Sequence, residues 1–151
     1  MEMRFDHLGV VVKSLDRGRK LVSDILNITG WTETFRDPVN GVAIQFGLDE
    51  TGTCYELLEP LDSSSPVFPA LKTQKAILNH VAYRVTDLSE AAARLARADC
   101  VPTSEPKPAI AYGGRRIQFF VTPLHFVVEL VEAWQHRHEY FETQENRGNP
   151  G

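Results

Sequence analysis

Cysteine is scarce: Cys54 and Cys100 are the only two in 151 residues, and neither lies in a CxxC or Cys/His spacing. A disulfide framework and a zinc-thiolate site are therefore not to be expected, and both thiols read as buried or bystander groups. No run approaches the roughly 18 apolar residues of a membrane span. The opening MEMRFDHLGVVV also lacks the basic region, apolar stretch and small-residue cleavage site of a signal peptide, so a cytoplasmic location is expected. Nor is there an excess of positive charge. With 16 basic against 20 acidic side chains the formal charge is −4, which gives no electrostatic case for a nucleic-acid or membrane partner. What is present is 42% hydrophobic and 24% charged residues, enough to bury a sizeable core in one domain or two small fused units.

The sequence repeats itself. A shift of 73 residues pairs FDHLGVVVKSL (5–15) with LNHVAYRVTDL (78–88), GVAIQF (41–46) with GRRIQF (114–119), and YELLEP (55–60) with VELVEA (128–133). His7 thereby meets His80, Glu56 meets Glu129 and Glu59 meets Glu132. Between 7–59 and 80–132 there are ten identities in 53 positions, where composition alone gives roughly three. The middles of the halves match poorly, which is where compensating insertions and deletions are expected.

Each half carries the same plan. A strand (5–12; 79–85) precedes a helical stretch (about 15–27; 88–98), then a Pro- or Gly-containing connection and further strands at 42–48, 53–61, 115–122 and 125–133. Asp87 with Glu90 makes a capping-box pattern for the second helix, whereas Gly18 weakens the first. Residues 61–75 read as a polar linker with one helical turn, and 102–114 as a Pro/Gly loop holding a short extra strand. Strand character ends after Ala133, and the last ten residues read as a mobile tail. The expected organisation is a first module over 1–61, a linker over 62–76, a second module over 77–134 and a polar tail over 135–151.

Alternation along the strands sets His7 on one face with Gly9 and Val11, and His80 with Ala82 and Arg84. The opposite faces, Leu8/Val10/Val12 and Val81/Tyr83/Val85, are apolar and should pack on the helices. Glu56 and Glu129 sit inside apolar strands, where a carboxylate is costly unless something satisfies it. One histidine and one glutamate per half, at the same separation, converge if the halves pack with pseudo-twofold symmetry. Such an N2O2 set suits one divalent ion of Zn, Ni, Co, Mn or Fe, and disfavours Ca.

At these residues the sequence resembles the vicinal oxygen chelate superfamily, over roughly residues 4–133. The resemblance implies an α+β fold in which two βαβββ modules form a cupped mixed sheet around a metal. DHLGVVVKSL, YELLEPL, NHVAYRVTDL and VVELVE look most like the methylmalonyl-CoA epimerase branch, and the His/Glu/His/Glu order is like that of bacterial glyoxalase I. Carried over, it implies His7, Glu56, His80 and Glu129 as ligands, with Glu56 where epimerases more often carry glutamine. Those epimerases also place a catalytic glutamate on the strand that here reads GVAIQFGL, which offers only Ile44 or Gln45.

The implied activity is that of an isomerase or lyase abstracting a proton next to the carbonyl of a thioester, hemithioacetal or related compound. Glu129 is the first choice of base and Glu56 the second. Gln45 and Gln118, equivalent in the two IQF segments, are candidate substrate contacts, as are Arg84, a carboxylate clamp beside His80, and the Gly113–Arg116 loop with Arg115 and Arg116. His136 and His138 form an HxH with no constellation nearby and are not expected to bind metal. Two other readings of the same fold remain open: a small-molecule-sequestering protein of the bleomycin-resistance kind, and thiol or epoxide transfer. By analogy with relatives, homodimerisation is an expectation.

Overall fold

The computed structural model describes residues 2–142; the expected mobile tail lies, apart from Glu142, outside them. The first half runs β1 (Arg4–Val11), α1 (Leu15–Leu26), β2 (Ile28–Trp31), β3 (Phe35–Asp37), β4 (Val42–Asp49) and β5 (Cys54–Pro60). A connection containing α2 (Phe68–Thr73) leads to β6 (Leu78–Arg84), α3 (Leu88–Arg97), β7 (Val101–Pro102), β8 (Lys107–Ala109), β9 (Arg115–Val121) and β10 (Val127–Val131). β6 starts 74 residues after β1 and β8 starts 72 after β3, while the other four pairs start 73 apart. The expected insertions and deletions are therefore absent. The middles diverge in sequence because they hold short strands at the sheet margin and the loops between them, which constrain side chains little.

With β11 (Phe141–Glu142) at one edge, the strands form one mixed, cupped sheet in the order β11-β2-β4-β5-β1-β6-β10-β9-β7, with β3 on β4 and β8 on β9. The halves meet at its centre, where β1 and β6 run antiparallel, each flanked by a parallel partner, β5 and β10. Both helices start the same way. Ser14 and Asp87 accept from the N–H groups of Arg17 and Glu90. Glu59 accepts from Leu15 N–H at 2.8 Å and Glu132 from Leu88 N–H at 2.7 Å. These equivalent carboxylates satisfy helix-start donors that would otherwise lack partners. Gly18, the weak point of α1 by propensity, is where the helix meets the end of β1: a Cβ there would lie 2.7 Å from Val12 Cγ1.

Apolar packing divides among three places. Leu15, Ile28, Trp31 and Leu57 pack under α1, and Leu88, Ala91, Phe120 and Leu130 under α3. A third cluster, including Ile44, Phe46, Tyr112, Ile117 and Val131, fills part of the cup itself.

The segment after Ala133 departs from expectation. It adds β11 (Phe141–Glu142), which pairs antiparallel with Trp31 and Gly30 of β2, and the Tyr140 hydroxyl donates to Cys54 Sγ at 2.9 Å. Its polar, HxH-bearing sequence hid this because its partners lie about a hundred residues earlier in the chain. Among the described residues no helix is long and apolar enough to cross a membrane.

Candidate metal centre

Two irregularities in the central strand pair build the site. The β1/β6 register shifts between Phe5 and His7 and again between Gly9 and Val10, opposite Asn79. Such bulges re-aim side chains. Here they put Asp6 beside His7 and Asn79 beside His80, so Asp6 Oδ2 lies 2.8 Å from His7 Nδ1 and Asn79 Oδ1 lies 2.9 Å from His80 Nδ1. Gly9 pairs with His80 across the strands and leaves the space its ring occupies.

The two Nε2 atoms then face each other at 3.1 Å. Glu129 Oε2 lies 3.2 Å from His7 Nε2 and 3.0 Å from His80 Nε2, and Glu56 Oε1 lies 3.7 and 3.5 Å from the same atoms. All four side chains are buried, and their donor atoms lie within 4.8 Å of one another.

Electrostatics explains what this arrangement needs. Burial disfavours the Asp6 carboxylate, but hydrogen bonds from His138 and His7 hold its pKa far below the usual range. An ionised carboxylate only accepts, so His7 keeps a proton on Nδ1, and the inward-pointing Nε2 is the atom whose proton a metal ion would displace. The Asn79 oxygen orients His80 in the same way. Two inward lone pairs 3.1 Å apart repel unless a proton or a cation lies between them.

Burial also works against a charged His7, yet Glu56, Asp6 and Glu129 raise its pKa well above the ordinary value. Burial lowers that of His80. It pushes Glu56 up to about 8, opposed by the attraction of His7 and reinforced by repulsion from Glu129. The two imidazoles overcome burial at Glu129 and bring it down to about 2. Even so, Glu129 Oε2 is buried without a properly aligned hydrogen bond.

The residues fit a divalent metal. Donors at 2.0–2.2 Å from a common ion lie about 3–3.5 Å apart, close to the 3.0–3.7 Å separations here. The orphaned oxygen and the facing lone pairs are what a cation satisfies. A cavity of about 330 Å³ opens beside the cluster, with Glu56 and Glu129 in its lining. Val42, Ile44, Leu58, Ile117 and Phe119 form apolar wall, and Asn40, Ser104 and Lys107 add polar groups.

The other expected contacts lie elsewhere. The Gln45 amide donates to the Thr32 carbonyl at 2.7 Å and accepts from Arg19, and Gln118 donates to the Ser104 carbonyl at 3.0 Å. Arg116 binds Glu132 at 2.9 Å. Arg115 borders a separate hollow with Trp134 and His136. Arg84 clamps a carboxylate, but an internal one: its Nε is 3.0 Å from Asp6 Oδ1. Asp6, Asn79, Tyr112 and His138 are the site residues that the sequence reading missed. The first two had a signal, because each immediately precedes a candidate ligand histidine and they are equivalent in the repeat.

The chain belongs to the glyoxalase/bleomycin resistance protein/dioxygenase superfamily, whose model matches residues 6–119. No curated protein matches it. Among solved structures, a hypothetical protein from Bacillus halodurans is 21% identical with a TM-score of 0.76, covering 92% of this chain and all of its own. Methylmalonyl-CoA epimerase from Mycobacterium tuberculosis is 24% identical, with a TM-score of 0.69 and coverage of 85% and 86%. A Streptomyces coelicolor methylmalonyl-CoA epimerase variant, in complex with 2-nitronate-propionyl-CoA, is 23% identical, with a TM-score of 0.71 and coverage of 87% and 94%. These likenesses show the fold.

Proposed function

We propose that the protein is a divalent-metal-dependent isomerase or lyase that removes a proton next to a carbonyl or thioester, in the manner of methylmalonyl-CoA epimerase or glyoxalase I. The observation that carries this reading is the pair of inward Nε2 atoms at 3.1 Å, flanked by two buried carboxylates beside an apolar cavity. When bound, the ion supplies positive charge next to the substrate's carbonyl oxygen, which makes the neighbouring C–H acidic.

The chain's own residues do the rest. His7, His80, Glu56 and Glu129 hold the ion, while the apolar walls hold the acyl portion and exclude water. The base comes from the cluster itself. Ile44 lines the cavity without an ionisable group, and Asp37, the remaining acid in the lining, is tied to the Asn40 side chain at 2.9 Å and the Ile110 N–H at 3.2 Å. Glu56 is the better base of the two glutamates, reversing the order favoured from sequence. It lies farther from both imidazoles than Glu129, which leaves its carboxylate freer to take a proton.

Solvent-deuterium incorporation into a panel of thioesters and hemithioacetals tests this. The metal-loaded protein should exchange at least one of them, and Glu56→Gln should keep the metal while losing exchange. Exchange unchanged in both Glu56→Gln and Glu129→Gln would refute the assignment of the base. A metal-loaded protein that binds such compounds without any exchange would instead support the sequestering function.

A further inference from the structure

We propose that the C-terminal segment Trp134–His138 is a working part of the metal centre, positioning Asp6 through His138 and so making His7 the stronger of the two histidine ligands. This rests on the metal reading above. The two halves supply equivalent orienting residues, but unequal ones. Among the described residues the Asn79 oxygen serves His80 alone, at 2.9 Å.

Asp6 instead gathers four partners: His7 Nδ1 at 2.8 Å, the Tyr112 hydroxyl at 2.7 Å, His138 Nε2 at 3.0 Å and Arg84 Nε at 3.0 Å. Two of these contacts depend on the C-terminal segment. His138 belongs to it and stacks on Phe46 with ring centroids 4.0 Å apart, and Phe46 in turn meets the His7 ring edge-on at 5.2 Å. Arg84 donates through Nη1 to the carbonyls of Trp134 at 3.1 Å and His136 at 2.5 Å.

The segment thus fixes the carboxylate from two directions. An imidazole whose Nδ1–H is held by a fixed carboxylate is a more basic ligand than one held by an amide, and such outer partners typically change metal affinity 10–100-fold. His138 and Arg84 are positioning residues here, acting on the ion only through Asp6 and His7. The segment lies outside both repeats, so pseudo-twofold symmetry alone does not supply it.

Cobalt(II) titration of the full-length protein, followed by its visible absorption, tests the proposal. His138→Ala should weaken cobalt binding about tenfold or more and shift the absorption bands. His138→Gln keeps an N–H directed at Asp6 and should restore most of both. Phe141→Ala loosens β11 without touching Asp6 and should change neither. Asp6→Asn installs the residue that the second half already uses at this place. It should weaken binding by about 10–100-fold, and if His138→Ala does not fold, His138→Phe, which keeps a ring against Phe46 but offers Asp6 no N–H, takes its place.

Wild-type affinity and spectrum in His138→Ala and Asp6→Asn would overturn the proposal. So would Phe141→Ala proving as damaging as His138→Ala, since that is the signature of packing alone. If the wild-type chain takes up no cobalt, the metal reading falls together with this one; if the variants bind it normally, this one falls alone.

Discussion

Replacing Gly9 with alanine should dismantle the metal centre from the backbone side. A Cβ at this position would lie 2.1 Å from His80 Cε1, 2.5 Å from Nδ1 and 2.6 Å from Nε2. To recover an ordinary contact of 3.4 Å the ring must recede by 1.3 Å, the difference between 3.4 and 2.1 Å. Metal–ligand distances tolerate only about 0.2 Å, so His80 then ceases to be a ligand. Overpacking of this kind costs about 1–3 kcal/mol of folding stability, a loss the fold should survive. The expected result is therefore a folded Gly9→Ala protein whose metal affinity drops more than about 100-fold, beyond the usual effect of outer-shell changes. Urea unfolding of the metal-free protein and metal titration of the same sample separate the two effects. Gly9→Ala binding metal with wild-type affinity would refute the argument, because the His80 ring could then not be where the ligand set requires it.

Further outcomes follow from the cluster's charges and from the helix starts. With His7 charged, Glu129 ionised, Glu56 protonated and His80 neutral, the metal-free cluster carries no net charge. A divalent ion replaces the protons on His7 and Glu56, so metal uptake near pH 7 should release about two protons, and affinity should rise as the pH rises towards 8. Calorimetry in buffers of different ionisation enthalpy measures this, and pH-independent binding would contradict it. Glu56 and His7 both have folded pKa values above their ordinary ones, so their contributions to stability are present at low pH and lost as it rises. The Tm of the metal-free protein should therefore fall between pH 6.5 and 8, where the depressed His80 no longer acts, and saturating metal should abolish the fall. Glu59→Ala leaves Leu15 N–H without its carboxylate and should cost about 0.5–2 kcal/mol in urea unfolding with metal affinity unchanged.

Most of the architecture was legible because the sequence states it twice. The 73-residue shift places His7, Glu56, His80 and Glu129 in equivalent positions, and period-2 alternation separates the apolar faces that pack on the helices. Alternation says nothing at Gln45, where β4 is buried on both faces and residues on either side look alike. It placed Arg84 beside His80 but could not show that an internal carboxylate, Asp6, already occupies the guanidinium. Asp6 itself was obscured because strict alternation sends it to the face opposite His7, and only the bulge brings the two together. His138 has no neighbours in sequence that mark it as part of a site. Its partner is 132 residues away, a distance that no local pattern spans.

The most direct test is elemental analysis of the untagged protein purified without added metal, beside His80→Ala and Glu129→Ala variants of confirmed fold. About one equivalent of Ni, Co, Zn, Mn or Fe in the wild type, lost in both variants, is the expected result for a four-ligand centre. A wild-type protein that is metal-free and cannot be reconstituted, or variants that keep the metal, would contradict it.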